Sequence, residues 1–302
     1  MNISSLLNLQ CMMFLEMLVG YILCARKIID VKDKAVVSKM VINVLLPCSI
    51  ITAFDLETSA EMFEKMKTVL LISMAIQILC VIISHFCYNS CSREKKPIYQ
   101  YGTVCSNAGL LGNAVIEHIY GSEGLLYGQF YLIPLRIVMW TIGISYFGEK
   151  SDLKSTIKKI FTHPCIVAIE IGLIQMIIGF SYPSFLNTTL ISLGRCSTPM
   201  IMLFLGMVLA QTGFSKLITK DTVIYSIIRL LIIPAMVLLG CKLLQVDPFL
   251  TGISVALAAM PAGSTTAILA QQYNGDIEFA SNCVVLSTLL SIVILPLWVL
   301  LI

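Results

Sequence analysis

Two apolar runs of this chain are interrupted by residues that helices do not ordinarily tolerate. Ser106-Asn107-Ala108-Gly109-Leu110-Leu111-Gly112-Asn113 breaks the first, and Ala259-Met260-Pro261-Ala262-Gly263-Ser264-Thr265-Thr266 breaks the second. Pro261 removes a backbone donor and crowds the preceding turn, and Gly263 relaxes the backbone beside it. A helix that restarts after such a break presents N–H groups without intrahelical acceptors, and these carry partial positive charge. Ser264, Thr265 and Thr266 add hydroxyls at that restart, while Asn107 and Asn113 add amides from the other run. Together these groups suit a carboxylate held away from bulk water. The plainer alternative for either run alone is a kink with small-residue packing, which membrane helices use routinely.

Ionisable residues inside apolar stretches form a second set of candidates, because placing charge there is costly. Arg136 can offer a bidentate contact to an anion or serve as the structural partner of a glutamate. Glu16 and Glu170 can take up a proton, since burial disfavours the carboxylate form, or pair with an arginine, or pack at a helix interface. Arg195 and Arg229 stand nearer the ends of their stretches, where a long side chain can snorkel to the interface. Glu117 and His118 are expected at a solvated rim. Gln77, Gln271 and Gln272 suit a cavity wall or interhelical hydrogen bonds. A sodium site would call for an acidic residue beside the second break, and that segment has none, so sodium is expected less than a proton.

Other chemistries find little support. His85, His118 and His163 are widely separated and complete no metal motif. Gly263-Ser264 is followed by no histidine, and Tyr273-Asn274-Gly275-Asp276 has no second mid-stretch aspartate for a carboxylate dyad. No catalytic residue, metal or cofactor is expected. The 11 cysteines lie mostly in apolar stretches and read as small packing residues rather than a disulfide framework.

The elements that must position these groups are hydrophobic. The chain has 302 residues, 58% of them hydrophobic and 12% charged, against about 25% charged in a soluble domain. It therefore reads as an all-α polytopic membrane protein. Ten apolar stretches lie near 5–25, 36–54, 68–88, 98–119, 125–147, 164–180, 188–211, 222–244, 249–272 and 277–301, most near the ~20 residues needed to span hydrocarbon. Lys and Arg concentrate in the connections after stretches one, three, five and seven, among them Arg26, Lys27, Arg93, Lys95, Lys96, Lys150, Lys154, Lys158, Lys159 and Lys220. Those connections are expected in the cytoplasm and both termini outside. The net charge of +3 follows from this loop bias and implies no nucleic-acid partner.

The two halves repeat one another. Tyr120 and Tyr273 stand 153 positions apart, as do Asn107 and Met260, while Gly20 and Gly172, and Pro47 and Pro199, stand 152 apart. Five stretches per half is an odd number, so the second half is expected upside down relative to the first. The expected division is 1–150 and 151–302. Broken apolar segments at matching positions of two halves point to the binding site of a secondary transporter.

Val44-Leu45-Leu46-Pro47, the two broken runs above, Tyr273-Asn274-Gly275-Asp276 and the ending Leu286-Ser287-Thr288-Leu289-Leu290-Ser291-Ile292-Val293-Ile294-Leu295-Pro296-Leu297 resemble the auxin efflux carrier family. The resemblance covers essentially the whole chain, and the absence of a long central loop makes it similar to the compact prokaryotic type, which includes malate and malonate permeases. It implies ten transmembrane helices as two inverted five-helix repeats with broken helices 4 and 9 crossing. It also implies a transport domain of helices 3–5 and 8–10 moving against a scaffold of helices 1, 2, 6 and 7.

The expected function is secondary active transport of a small organic anion, a carboxylate such as malate, malonate or an auxin-like acid. The expected setting is the plasma membrane and the expected mechanism elevator-like alternating access. Substrate-site candidates are Asn107, Gly109, Asn113, Pro261, Gly263, Ser264 and Thr265, joined by Pro47, Pro199 and Arg136. Glu16 and Glu170 are the proton-coupling candidates. The lipid bilayer is the other partner, and a homodimer is compatible with the sequence. Alternative readings are a non-transporting sensor on a transporter fold and a membrane-embedded enzyme.

Overall fold

The computed structural model describes residues 3–30, 33–55, 59–89, 91–148, 158, 161–210, 217–263, 265–273 and 275–302. Among these residues no strand forms, and an isolated antiparallel bridge pairs Ser106 with Ala262. The central connection carrying Lys150, Lys154 and Lys159, and Ser264 and Asn274, lie outside the described residues.

The described chain divides into two compact units. The first comprises Met1–Met66, Asn113–Gln129 and Lys158–Gln211, and the second Lys67–Gly112, Phe130–Ile157 and Thr212–Ile302. Each unit therefore draws on both halves of the sequence. The expected division at residue 150 concerns the repeats, and compactness follows another partition.

Helices α1 (Ile3–Ala25), α2 (Lys34–Met40) and α3 (Leu46–Ala53) open the first unit, with a π-helical turn, Val41–Leu45, joining α2 to α3. Helix α4 (Ala60–Cys87) follows, then α5 (Lys96–Val104) and α6 (Leu111–Val138). The second half supplies α7 (Pro164–Ile178), α8 (Ser184–Arg195), α9 (Ser197–Leu209), α10 (Lys220–Ile227), α11 (Ile233–Leu243), α12 (Pro248–Ala258), α13 (Thr265–Gln272) and α14 (Ile277–Leu301).

Five helical stretches among the described residues are long and apolar enough to cross a membrane: Ala35–Ala53, Ala60–Cys87, Leu111–Gly143, Lys220–Leu243 and Ile277–Leu301. Phe14–Ala25, Pro164–Ile178 and Pro248–Ala258 are shorter apolar helices. Chain breaks account for part of the difference from ten full-length stretches. The stretch 188–211 divides at Cys196 into α8 and α9, and 249–272 divides into α12 and α13. Leu111–Gly143 instead runs through Gly121, whose φ of 67° and ψ of −162° kink it into two helices.

Polarity is distributed as lipid requires. Leu15, Ile78, Ile178, Leu244 and Val293 stand exposed, whereas Ser73, Ser84, Gln129, Ser254 and Ser287 are fully buried. This is a multi-pass membrane protein.

In the first unit α1 packs on α9, and α3 packs on α7 and α8. Glycine makes the first contact: a Cβ on Gly20 would overlap the Leu203 carbonyl, and one on Gly206 would overlap that of Met17. Small residues let membrane helices approach closely enough for dispersion to hold them. In the second unit α11 packs on α12, while α10 and α13 pack on α14.

Helix starts are written into the sequence. Pro97, Pro164 and Pro248 occupy first-turn positions whose N–H groups would lack a partner anyway. The Asp247 carboxylate accepts from the Phe249 and Leu250 N–H groups at 3.0 and 3.2 Å, and Asp276 accepts from Phe279 at 2.8 Å.

Pro234 leaves a debt four residues back, because it cannot donate to the Leu230 carbonyl. The indole Nε1–H of Trp298 donates to that oxygen at 2.8 Å. This bond ties α14 to the π-helical turn Ile228–Ile232 between α10 and α11.

Candidate functional site

The two sequence breaks meet in the second unit. α5 ends at Val104, the chain runs extended through Cys105 and Ser106, makes a 3₁₀ turn over Asn107–Gly109, and restarts as α6 at Leu111. α12 ends at Ala258 and α13 begins at Thr265. Between them the Asn107 N–H donates to the Pro261 carbonyl at 2.8 Å, and the Gly263 N–H donates to the Cys105 carbonyl at 3.4 Å. The Ala262 N–H donates to Ser287 Oγ at 3.1 Å. These bonds satisfy backbone groups that the interrupted helices cannot, which is how non-helical backbone survives at membrane depth. A Cβ on Gly112 would lie 2.7 Å from Leu257 Cδ2, so that leucine side chain would have to shift to admit one. A Cβ on Gly109 would meet nothing within 4 Å, so close packing does not explain that glycine.

Arg229 organises the crossing. It lies in the π-helical turn, is 4% exposed, and donates to three carbonyls at the broken-helix ends. Its Nε donates to the Met260 carbonyl at 2.9 Å, Nη1 to Thr103 at 3.0 Å and Nη2 to Ala258 at 3.0 Å. The expectation that Arg229 snorkels to an interface is thus corrected. A guanidinium cannot lose its proton and presents a planar fork of donors, and carbonyls at helix C-termini are the acceptors left over.

The helix ends at the crossing do not cancel. Each helix end carries about half an elementary charge, negative at the C-terminus and positive at the N-terminus. The C-terminal ends of α5 and α12 together amount to about −1, which the Arg229 charge offsets. The N-terminal ends of α6 and α13 leave about +1.

Polar groups around the crossing are available. Asn107 is 5% exposed, and its side-chain amide lies at the crossing beside the backbone N–H that bonds Pro261. Ser106 Oγ and Thr266 Oγ1 are buried without a partner among them. Thr265 Oγ1 accepts from the Tyr101 hydroxyl at 3.1 Å. Unsatisfied buried polar atoms are rare and point to a ligand or water. The Gly263 and Thr266 N–H groups, expected to be open to a carboxylate, are already donated to Cys105 and Gly263 carbonyls. What this segment leaves open to a ligand is therefore its side chains and the remaining helix-end field.

A cavity of about 540 Å³ in the same unit is lined by Arg93, Lys96, Gln100, Tyr146, Phe147 and Tyr273, among others. Its aromatic wall continues inward: the Phe147 ring lies 5.8 Å from Tyr273 and 5.7 Å from Tyr101. Tyr101 in turn reaches Thr265. Nearby, Lys95 Nζ lies 2.6 Å from Asp221 and 5.1 Å from the Phe279 ring centre, fastening the starts of α5, α10 and α14 together. The Asp221 hydrogen bond raises the Lys95 ammonium above its ordinary range, more than burial lowers it.

The other candidates fall elsewhere. Arg136 is buried near the end of α6, in the second unit. Pro47 in α3, Pro199 in α9 and Asn113 belong to the first unit, where Asn113 Oδ1 accepts from Gln129 at 3.1 Å. Glu16 is partly buried with one carboxylate oxygen lacking a hydrogen-bond partner, and Glu170 is exposed on α7. Glu117 is not the solvated rim residue expected: Ser49 donates to it at 2.9 Å and Thr198 at 3.5 Å. No group of three or more His, Cys, Asp or Glu among the described residues could hold a metal ion.

A family model described as a membrane transport protein matches residues 5–153 and 149–299. A protein of Methanothermobacter thermautotrophicus named as an uncharacterized transporter is 28% identical over 294 residues, 93% of each chain. An uncharacterized transporter of Methanocaldococcus jannaschii is 24% identical over 292 residues, covering 93% of this chain and 94% of its own. The uncharacterized transporter YfdV of Escherichia coli K12 is 21% identical over 298 residues, 94% of this chain and 93% of its own.

Proposed function

Because this chain belongs to the membrane transport protein family of the auxin efflux carrier type, we propose that it is a secondary carrier of a small organic anion. The observation that carries the anion is the charge balance at the crossing. Arg229 is committed to three carbonyls, so the positive ends of α6 and α13 remain for a substrate carboxylate. Asn107, Ser106, Thr265 and Thr266 supply donors and acceptors for it, and Ser264 is kept from the sequence as a further hydroxyl. Malate, malonate and auxin-like acids are the substrate class.

The proposed layout has ten spans in two inverted repeats. The basic connections face the cytoplasm of a plasma-membrane protein, and both termini lie outside. Alternating access is elevator-like. Support comes from the pairing of the breaks by backbone hydrogen bonds within one compact unit, which keeps the site intact while it moves.

The test is uptake by proteoliposomes of labelled malonate, malate and an indole carboxylate. The wild-type protein should accumulate at least one of them. Asn107→Ala should insert normally and weaken its apparent affinity about tenfold or more, as expected for losing one charge-assisted hydrogen bond. Pro261→Ala, which lets the helix continue and removes the positive end of α13, should act in the same direction. Both variants transporting like the wild type would remove the crossing from the substrate path.

A further inference from the structure

We propose that Glu117 is the proton-binding group that couples this carrier to pH, an inference that rests on the transport reading above. Glu117 lies on α6 in the first unit, partly buried. Its hydrogen-bond partners come from two other helices of that unit. Ser49 Oγ on α3 donates to Oε1 at 2.9 Å, and Thr198 Oγ1 on α9 donates to Oε2 at 3.5 Å.

The type of partner carries the argument. An arginine or a backbone N–H can only donate, so it stabilises the carboxylate and opposes its protonation. A hydroxyl is one donor and two acceptor lone pairs, and it rotates to suit. Ser49 and Thr198 can donate to the ionised carboxylate and accept from the protonated acid without either side chain moving. The pocket is satisfied in both charge states, which a proton carrier requires and a structural ion pair does not.

The hydroxyls are also held in place. Ser49 is 2% exposed and Thr198 4% exposed. A Cβ on Gly194 of α8 would lie 3.0 Å from the Ser49 backbone, so α8 fixes that part of α3. Ser49 follows Pro47 by two residues and Thr198 directly precedes Pro199, so the repeat-matched prolines mark where the two donors sit. On α6 itself Glu117 lies one turn beyond Asn113, on the same face.

The surrounding charged and titratable groups do not supply a fixed countercharge. His118 is exposed on α6, and Arg195 and Glu170 are exposed at α8 and α7. Cys48 on α3 is buried. His118, itself titratable, interacts electrostatically with both Glu117 and Glu16 on α1.

The experiment uses the full chain on a solid-supported membrane, with pH jumps applied in the absence of any organic anion. The wild-type protein should displace charge, and Glu117→Gln should displace less than a tenth of that amount. Ser49→Ala, which removes a donor to the ionised form, should move the midpoint of the displacement upward by about one pH unit. If Glu117→Gln does not fold, the Ser49→Ala shift decides alone. Displacement retained in Glu117→Gln overturns the assignment. So does displacement lost in Glu16→Gln and retained in Glu117→Gln, and so does a response to sodium jumps in place of pH jumps. If no carboxylate is taken up by liposomes yet Glu117-dependent displacement persists, the organic-anion reading fails and the proton site stands.

Discussion

Replacing Arg229 by methionine tests the organisation of the crossing. Methionine keeps much of the length and the apolar stem but removes the charge and three donors. Hydrogen bonds from a charged group contribute about 1.5–3 kcal/mol each, so three independent bonds would total roughly 5–9 kcal/mol. They share one planar group, and interhelical polar bonds in membrane proteins run nearer 0.6–1.7 kcal/mol. The expected loss is therefore about 2–5 kcal/mol. At roughly 2 °C per kcal/mol for a chain of this length, the melting temperature in detergent should fall by about 4–10 °C. A fluorogenic thiol dye reads this directly, because Cys80, Cys105, Cys241 and Cys283 are buried and become reactive on unfolding. Arg229→Lys retains the charge but reaches fewer carbonyls, and should lie about midway. Arg229→Met should also weaken anion binding, since the negative ends of α5 and α12 would then cancel the positive ends of α6 and α13. An Arg229→Met protein melting within 1 °C of the wild type would refute the reasoning.

Three further outcomes follow from the packing and the buried charge. Gly206→Val forces α9 away from the Met17 carbonyl on α1 and should lower the melting temperature by several degrees, measured with the same dye. Trp298→Phe strands the Leu230 carbonyl beside Pro234 and should cost about 1–2 kcal/mol, read as a melting shift, whereas Trp298→Phe with Pro234→Ala should recover most of it. Arg136→Lys should reduce anion affinity about tenfold with little change in melting temperature, because the planar fork is lost and the charge kept; lowered stability with affinity intact would make Arg136 a packing residue.

The breaks were legible because glycine and proline interrupt apolar runs visibly, and the crossing forms at those residues. Arg229 was not. Its partners are three backbone carbonyls, which any residue type supplies, so nothing in the side-chain pattern of Ile228–Ile232 announces them. One signal was present: an arginine five residues before Pro234 in a segment too apolar for a surface helix. Glu117 was misread for a related reason, since Ser49 and Thr198 lie 68 and 81 positions away and single hydroxyls have no period. The matched prolines beside them were the usable hint. The N–H groups of the second break were over-read, because a lone sequence segment cannot reveal that the other break consumes them.

The π-helical turns at Val41–Leu45, Met139–Gly143 and Ile228–Ile232 each carry one residue more than an α-helix needs. Deleting that residue would restore α geometry and rotate everything on one side by about 100°. For Ile228–Ile232 that rotation would swing Arg229 off the carbonyls of Thr103, Ala258 and Met260. Single-residue insertions and deletions among distant relatives should therefore cluster at these three turns. A relative lacking the extra residue at the third would need its cation at a neighbouring position, so a one-residue gap there marks a re-registered site rather than alignment noise.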